Sequence, residues 1–414
     1  MRRVELALNA RYAAQPDAAV PVLPSAFGPV RARNVRGFHA GFPEYSPTPL
    51  CSLAGLAARL GLGRVLVKDE SRRFGLKAFK GLGASWAVAR ILARRLNLPP
   101  DGLSRAALCG PEARERLGEI TLVTATDGNH GRGLAWAARQ FGQRAVVFMP
   151  KGSAEARAAA IRALGAYCEI TDLAYDDAVR HAAAHARATG GVLVQDTAWD
   201  GYEEIPRWIM QGYTTLALEA REQMRAMGLT RPTHLLLQAG VGSFAAAVLS
   251  FFAVAGAEEG GPAPLAVIME PHSADCIFRS IRSGDGRAHA AAGEMRTIMA
   301  GLACGEPSSL AWGILREHAF AAVACPDGLA ANGMRMLAAP LPGDPALVSG
   351  ESGAVGVGLL DYLARAPEAA AMRSALGLNE SSVVLLISTE GDTEPDMYRR
   401  VVQDGACAFD FQSR

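Results

Sequence analysis

The segment "ITLVTATDGNHGRGLAWAARQFG", residues 120–142, contains an apolar strand, a glycine-rich turn and an alanine-rich helix in succession. Two similar units follow: "AVVFMP" precedes "SAEARAAAIRALGA", and "GVLVQDT" precedes a helical pattern ending in "GYTTLALEAREQMRAMG". Continuous apolar runs separated by crossover helices are typical of parallel strands that are buried on both faces. The pattern predicts an α/β, doubly wound fold with mainly parallel sheets flanked by helices.

The same alternation extends in both directions from this segment. "RVLVKDES" lies upstream, and "THLLLQAG", "PLAVIMEP" and "SVVLLISTEG" lie downstream. The apolar run "SFAAAVLSFFAVAGA" is too short to span a bilayer and predicts a core helix. Asn97–Glu119 and "FAVAGAEEGGPAP" are expected to be surface connections. No low-complexity linker divides the chain, so any domains must share interleaved segments.

The bulk properties exclude several classes of protein. A net charge of +1 over 414 residues, without a basic block, argues against a nucleic-acid partner. Glu5, Asn9 and Arg11 interrupt the opening segment, so we expect no signal peptide. The seven cysteines are dispersed, odd in number and without a CxxC spacing, which indicates a reducing cytoplasm. There is also no HExxH, so no metal site is predicted. Cys276 and Cys304 are the one pair of cysteines for which a close approach in the fold stays open.

The stretch "RFGLKAFKGLG", residues 73–83, places Lys77 and Lys80 between glycines. Most lysines at this density are solvated surface residues. Lys80, however, follows Ala78 and Phe79 where a strand end becomes a helix start, so apolar neighbours shelter its amine. A sheltered lysine is expected to have a lowered pKa and to be able to form a Schiff base.

The turn "TATDGNHGRG", residues 124–133, ends a predicted strand at the sheet edge where α/β proteins bind ligands. Asn129 is placed to bind a ring hydroxyl, or else it is a turn asparagine in a left-handed conformation. His130 is expected to be a packed residue at the helix start rather than a ligand.

The loop Gly240–Ser243 joins a strand to a helix and is expected to bind an anion with its amides and the helix dipole. It also matches GxGxxA, and Glu270 ends the next strand, so a nicotinamide dinucleotide is an alternative ligand. The spacing to Glu270 exceeds the ~20 residues that this alternative expects.

Ser388 and Thr389 end the last apolar strand, in "LLISTEGDT". A buried hydroxyl at this position suits a heteroaromatic nitrogen. The alternative is that the hydroxyl caps the next turn.

A lysine for an imine, an asparagine for a ring oxygen, an anion cradle and a hydroxyl for a ring nitrogen together describe a site for pyridoxal 5′-phosphate. The chain resembles the fold-type II pyridoxal-phosphate enzymes, the tryptophan synthase β group, and within them the diaminopropionate ammonia-lyases. The fold-type II enzymes as a whole share only the lysine, the asparagine turn and the phosphate loop. The segments "FGLKAFK", "DGNHG" and "QDTAW" are more specific to the diaminopropionate ammonia-lyases. Further matching segments are "SPTPL", "MEP", "SGESGAVG" and "STEGDT".

The resemblance implies a homodimer with a large cofactor-binding domain, residues 1–84 and 205–414, and a small domain, residues 85–204. It implies that Lys80 forms the Schiff base, and it favours Ser388 over Thr389 for the pyridine nitrogen. Val241 interrupts a loop that is glycine-only in many relatives. The implied cofactor contacts are Lys80, Asn129, Gly240, Val241, Gly242, Ser243, Ser388 and Thr389.

Asp127 and Asp196 are the expected acid/base and substrate residues. Two carboxylates would attract the side-chain ammonium of 2,3-diaminopropionate and keep the departing nitrogen protonated. Asp127 would also remove the Cα proton of the D-isomer, while Lys80 serves the L-isomer. The expected products are pyruvate and two ammonia. Alternatively, Asp127 caps the helix after "GNHG" and Asp196 caps the turn at "TAW".

Other functions remain open on the sequence alone. A serine/threonine ammonia-lyase or a β-replacement synthase would share the cofactor residues, and only the two aspartates argue against them. A non-catalytic pyridoxal-phosphate carrier and a nicotinamide oxidoreductase are alternatives from other classes.

Overall fold

The computed structural model describes residues 3–13 and 25–409. The strands are β1 (Glu5–Leu8), β2 (Leu50–Ser52), β3 (Arg64–Asp69), β4 (Thr121–Ala125), β5 (Arg144–Met149), β6 (Tyr167–Ile170), β7 (Val192–Leu193), β8 (His234–Gln238), β9 (Leu265–Pro271), β10 (Ala321–Cys325) and β11 (Val383–Ser388).

Helices connect these strands and cover the sheets. In chain order they are α1 (Ala10–Ala13), α2 (Pro29–His39), α3 (Ala54–Leu60), α4 (Lys80–Arg95), α5 (Arg105–Cys109), α6 (Pro111–Leu117), α7 (Asn129–Gln140), α8 (Glu155–Arg162), α9 (Tyr175–Thr189), α10 (Glu204–Ala226), α11 (Ser243–Glu258), α12 (Cys276–Ser283), α13 (Ser309–His318), α14 (Asp327–Ala338), α15 (Glu351–Arg365), α16 (Ala370–Ala375) and α17 (Pro395–Val402).

The strands form two sheets. A seven-stranded sheet has the order β1-β10-β9-β8-β11-β3-β2, and only its edge strands β1 and β2 run antiparallel to their neighbours. A four-stranded sheet has the order β6-β5-β4-β7 and is parallel throughout. The predicted α/β fold with mainly parallel sheets flanked by helices is confirmed.

Each sheet has a point where the strand order reverses. In the large sheet β9 and β10 follow on one side of β8, whereas β11 pairs with its other side. In the second sheet β5 and β6 lie on one side of β4, and β7 lies on the other. Ligands bind in open α/β sheets at such switch points, outside the carboxyl ends of the strands. The topology therefore marks the loops after β4, β7, β8 and β11.

The helix that begins at Lys80 is held by two close backbone approaches. A Cβ atom on Gly133, in α7, would lie 3.0 Å from the carbonyl carbon of Lys80. A Cβ atom on Gly212, in α10, would lie only 2.4 Å from the carbonyl oxygen of Leu82. Only glycine fits at either contact without displacing backbone. The first contact fixes the start of α4 relative to α7, and the second fixes it relative to α10.

Two predicted connections differ from the structure. Asn97–Glu119 contains α5 and α6, and Leu108 of α5 is fully buried in the main core, so this segment is more than a surface loop. "FAVAGAEEGGPAP" begins within α11, which runs to Glu258, so the connection itself is shorter than expected. The prediction that "SFAAAVLSFFAVAGA" is a core helix is confirmed, because α11 is buried along nearly its whole length.

Two further structural features concern membrane-spanning helices and disulfide bonds. Across residues 3–13 and 25–409, no helix is both long enough and apolar enough to cross a bilayer. Cys276 and Cys304 are both buried free thiols, as are Cys168 and Cys325, and none of the seven cysteines is in a disulfide.

Candidate active site

The loops at the switch points of the two sheets meet around one cavity. The turn after β4 and the residue Asp196 after β7 form one side. The loop after β8 and the residues after β11 form the other side, and Lys80 lies among them.

Lys80 is the first residue of α4, and its ammonium pairs with the Asp196 carboxylate inside the cavity. Burial lowers the pKa of Lys80, but the Asp196 carboxylate outweighs this effect, and the pKa is raised overall. The expected lowering of the pKa is therefore not found. The pKa is raised because Lys80 forms an ion pair with Asp196, which lies 116 positions away in the sequence. The local sequence shows only the apolar neighbours of Lys80, so it does not reveal this partner.

Lys77 lies outside the cavity lining and pairs with the surface carboxylate of Asp392 at 2.8 Å. Its side chain is 43% exposed, compared with 18% for Lys80. Of the two lysines in the "GLKAFK" stretch, only Lys80 faces the other predicted site residues.

The loop Gly240–Ser243 lines the cavity and leads into α11. No side chain caps this helix at its first turn, so its N-terminal amides and dipole remain available to an anion. Gly242 has a φ of +93°, which suits glycine alone. The side chain of Val241 packs in an apolar cluster with Val123 and Phe148, which explains how a branched residue fits in this loop.

Asn129 and His130 begin α7 at the cavity wall. The amide nitrogen of Asn129 donates to the carboxylate of Glu390, which follows β11. His130 packs at the helix start, with Nε2 2.7 Å from the carbonyl oxygen of Val194, as expected for a structural histidine. Its Nδ1 is buried without a hydrogen-bond partner and lies 3.9 Å from Asp196.

Asp127 and Asp196 both line the cavity, and their electrostatic environments differ. Burial raises the pKa of Asp127 to about 6, while Arg157 and Lys80 oppose the rise and Glu390 adds to it. Burial would also raise the pKa of Asp196, but the Lys80 ammonium lowers it to about 2. Asp196 therefore stays ionised, whereas Asp127 can exchange a proton near neutral pH.

The capping role considered for Asp127 is not observed. No side chain makes the N-cap hydrogen bond of α7. The hydroxyl of Thr126 instead accepts the N–H groups of Gly128 and Gly131, at 2.9 and 3.1 Å. Asp127 Oδ2 makes no hydrogen bond and lies 3.5 Å from the Arg157 guanidinium, which itself is almost fully buried.

Ser388 and Thr389 lie on different sides of the chain at the end of β11. The hydroxyl of Ser388 donates to Ser349 Oγ at 2.8 Å and does not line the cavity. Thr389 lines the cavity, and its Oγ1 accepts a hydrogen bond of 2.9 Å from Gln238 Nε2. Of the two hydroxyls, that of Thr389 faces the cavity, because successive residues of a strand face opposite ways.

The cavity also contains residues that the sequence did not single out. Glu390 directly follows Thr389 in "STEGDT", so its position next to a predicted residue was a usable signal. Arg157, on α8, does not line the cavity itself but pairs with Asp127, which does. It carries no local sequence signal, because its partners Asp127 and Glu394 are distant in sequence. Tyr175, Gly301 and Ser352 also line the wall.

Glu270 argues against the dinucleotide alternative. Its carboxylate accepts the N–H groups of Ile277 at 3.0 Å and Phe278 at 2.6 Å, at the first turn of α12. It is fully buried, so it cannot reach a ribose hydroxyl. The GxGxxA loop of this chain can therefore bind an anion, but Glu270 is not available as the acidic residue that would bind the ribose of a dinucleotide.

The residues present fit pyridoxal 5′-phosphate. The cavity joins a lysine amine, an uncapped helix start for a phosphate and a threonine hydroxyl. Asp127 Oδ2, His130 Nδ1 and Ser352 Oγ are buried in its wall without hydrogen-bond partners. Unpaired buried polar atoms of this kind indicate that a polar ligand completes the site. No cluster suited to a metal ion occurs among the residues that the structure describes.

Comparisons with known proteins agree with this geometry. The family model "Pyridoxal-phosphate dependent enzyme" matches residues 42–389. The chain is 54% identical to the diaminopropionate ammonia-lyase of Salmonella typhimurium over 376 residues, which are 91% of this chain and 92% of the relative. The crystal structure of the Escherichia coli diaminopropionate ammonia-lyase with D-serine matches at TM-score 0.89 and 46% identity, over 98% of both chains.

A second crystal structure of the Escherichia coli enzyme is similar to the same extent. It is described as a complex with the "aminoacrylate-PLP azomethine reaction intermediate". The TM-score is 0.87 at 47% identity, and 99% of each chain is covered.

Proposed function

The chain belongs to the pyridoxal-phosphate-dependent enzymes, among the diaminopropionate ammonia-lyases, and we propose that it converts 2,3-diaminopropionate and water into pyruvate and two ammonia. The observation that carries this proposal is the arrangement of Asp127 and Asp196 around Lys80 in one cavity. Two carboxylates beside one amine suit a substrate that has a second ammonium. A hydroxyl-bearing substrate such as serine has no such group to place between them.

Lys80, Asn129 and the loop Gly240–Ser243 would hold the cofactor through its aldehyde carbon, its 3′-oxygen and its phosphate. Thr389 takes the place of Ser388 at the pyridine nitrogen in our proposal, because Thr389 alone of the two lines the cavity. When bound, pyridoxal phosphate supplies an electron sink for the charge that forms on Cα.

Lys80 and Asp127 are the proposed bases for the two configurations of the substrate. One base cannot serve both, because the Cα protons of D- and L-isomers project from opposite faces when the carboxylates are held alike. We assign the L-isomer to Lys80 and the D-isomer to Asp127. A carboxyl with a pKa of about 6 is well matched to proton transfer near neutral pH.

Asp196 is the proposed holder of the side-chain ammonium. Amide anion is a very poor leaving group, so the departing nitrogen must remain protonated. The Lys80 ammonium lowers the pKa of Asp196 in the cofactor-free chain. The side-chain ammonium of the substrate would favour the ionised carboxylate in the same way, so Asp196 can orient it in either isomer.

The experiment is an assay of pyruvate and ammonia with purified holoenzyme. We expect one pyruvate and two ammonia from each diaminopropionate enantiomer, and much slower pyruvate formation from D-serine, which the Escherichia coli relative binds. Threonine should give no comparable rate. Faster turnover of serine or threonine than of diaminopropionate would overturn the substrate assignment and favour a serine/threonine ammonia-lyase.

Three further features remain proposals. The domain boundaries 1–84 with 205–414, and 85–204, are supported by the sheets, since β4 to β7 all lie between residues 121 and 193. A cytoplasmic location is supported by seven free cysteines. The homodimer rests on the family resemblance, and sedimentation of the purified protein would test it.

A further inference from the structure

Glu390 is a buried carboxylate in the wall of the cavity, with a relative exposure of 1%. Both of its oxygens are engaged. Oε2 accepts from the amide nitrogen of Asn129, and Oε1 accepts from the backbone N–H of Ser352 at 3.1 Å. Its own carbonyl oxygen accepts from Gly350 at 2.9 Å, so backbone and side chain are both fixed.

A glutamate at position 390 suits its two hydrogen-bond partners, Asn129 and the backbone of Ser352. Both groups that approach the carboxylate are donors, and an ionised carboxylate accepts on both oxygens and donates from neither. A glutamine of the same length has one acceptor oxygen and one NH₂ group, so it can satisfy only one of the two donors. Ser352 lies at the start of α15, where the helix dipole favours a negative charge.

The hydrogen bond decides the orientation of the Asn129 amide. The two ends of an asparagine side chain have nearly the same shape and are set by their partners. Because the Glu390 carboxylate cannot donate, it selects the NH₂ end of Asn129. One N–H of this group is then committed to Glu390, and the second N–H of the same nitrogen is free to serve a ligand.

The contact also joins the two sheets. Asn129 follows β4 of the four-stranded sheet, whereas Glu390 follows β11 of the seven-stranded sheet. Glu390 therefore holds Asn129 from the opposite wall of the cavity, on a strand end whose position is fixed by pairing with β8 and β3.

We propose that Glu390 is a positioning residue that acts through Asn129, keeping its NH₂ group directed to the 3′-oxygen of pyridoxal phosphate. This inference rests on the proposed function, since it takes Asn129 as a cofactor contact. Glu390 itself need not touch the cofactor. Its effect is on how strongly the cofactor is held and on the electronic state of its ring.

The test compares Glu390→Gln with wild type by two measurements that do not depend on turnover. Cofactor-free protein is titrated with pyridoxal phosphate, and the visible absorption band of the bound cofactor is recorded. We expect about tenfold weaker binding, as for loss of one charge-assisted hydrogen bond, and a shifted band. Asp392→Asn is the matched control, because it removes a carboxylate two residues away that pairs with Lys77; it should change neither measurement.

A double-mutant cycle separates this role from a structural one. If Glu390 acts through Asn129, then Asn129→Ala and the double variant Asn129→Ala/Glu390→Gln should bind the cofactor equally weakly. Additive losses would overturn the proposal. So would wild-type affinity and an unchanged band in folded Glu390→Gln.

Thermal melting establishes that each variant is folded. If Glu390→Gln does not fold, Glu390→Asp replaces it, since this variant keeps the charge but shortens the reach to both donors. It should weaken cofactor binding in the same direction, and unchanged binding would contradict the inference. Failure of wild-type protein to bind pyridoxal phosphate would instead overturn the proposed function itself.

Discussion

Asp127 lines the cavity and has a pKa of about 6, which suits a base that removes the Cα proton of one enantiomer. Asp127→Asn keeps the size of the side chain but removes its basicity, so we expect D-diaminopropionate turnover to fall by roughly 10²–10⁴-fold. Turnover of the L-isomer should change far less, because Lys80 is its proposed base. Steady-state rates for both isomers, with cofactor content measured in parallel, check the prediction. Equal losses for the two isomers would remove Asp127 from the chemistry.

The pH dependence of the same reaction has a defined sign. A base must be ionised, and burial raises the pKa of Asp127 to about 6. The rate with the D-isomer should therefore fall as the pH drops below about 6 and level off above it. Arg157 opposes that rise in pKa, so Arg157→Met should move the acidic limb of the D-isomer profile to higher pH. An unmoved limb would show that Asp127 does not control it.

The sequence predicts a single site residue well when the neighbouring residues in the same short segment determine its position. Lys80, Asn129 and Gly240–Ser243 lie in short segments whose residues make the site by themselves, and the structure places all of them at the cavity. Ser388 and Thr389 differ by one position, which local pattern cannot orient. The raised pKa of Lys80 depends on Asp196, and this partner comes from another strand end.

The contact between α4 and α10 sets where Lys80 is presented. A Cβ atom on Gly212 would lie 2.4 Å from the Leu82 carbonyl oxygen and 2.6 Å from Gly83 Cα. Gly212→Ala should therefore push the two helices apart and destabilise the protein by about 1–3 kcal/mol, as overpacking does. Denaturant unfolding of the cofactor-free protein gives this value.

Gly37 supplies the matched control on another helix. It lies in α2 and is exposed, and a methyl group added at its Cα would have no other atom within 4 Å. Gly37→Ala should leave stability unchanged or raise it by about 0.5–1 kcal/mol through helix propensity. If both variants behaved alike, close packing at Gly212 would not be the cause.

Apolar runs flanked by alanine-rich helices predict seven of the parallel strands, β3, β4, β5, β7, β8, β9 and β11. Strands β1, β2, β6 and β10 were not predicted. β10 has the sequence "AAVAC", which is as alanine-rich as the helices, and it is a strand because β9 and β1 pair with it. Pairing between distant segments overrides local propensity in such elements.

A buried ionic cluster ties together β3, the segment before Lys80 and the long helix α10. Arg73 donates to Glu219 and Glu70, and Lys68 donates to Glu219 at 2.7 Å, with all four side chains almost completely buried. Removing one partner leaves a buried charge without compensation. Glu219→Gln should therefore lower the free energy of unfolding by about 3–5 kcal/mol.

The control and the pH dependence of this cluster follow from its burial. Glu222 is on the same helix, pairs with Arg36 at the surface, and is 48% exposed, so Glu222→Gln should cost less than about 1 kcal/mol. Burial would raise the pKa of Glu219, but Arg73 and Lys68 lower it to about 2. Its stabilising contribution is complete above the unfolded pKa of about 4.5 and is lost as the pH falls toward 2. Glu219→Gln should show a flatter loss of stability over this range.

For the whole molecule, alternating strands and helices predicted the α/β class, and the switch points of the two sheets explain why the predicted motifs meet. The sequence did not give the sheet order, because strand neighbours depend on packing between segments hundreds of residues apart, such as β3 with β11. The site is the place where two separate sheets present their carboxyl ends to each other.

The covalent attachment of the cofactor tests the central claim most directly. Holoenzyme is reduced with borohydride and digested, and the peptide that carries the pyridoxyl group is identified by mass spectrometry. The account predicts the group on Lys80 alone, with Lys77→Ala labelled as wild type and Lys80→Ala unlabelled. A pyridoxyl group on Lys77, or labelled protein in Lys80→Ala, would contradict it.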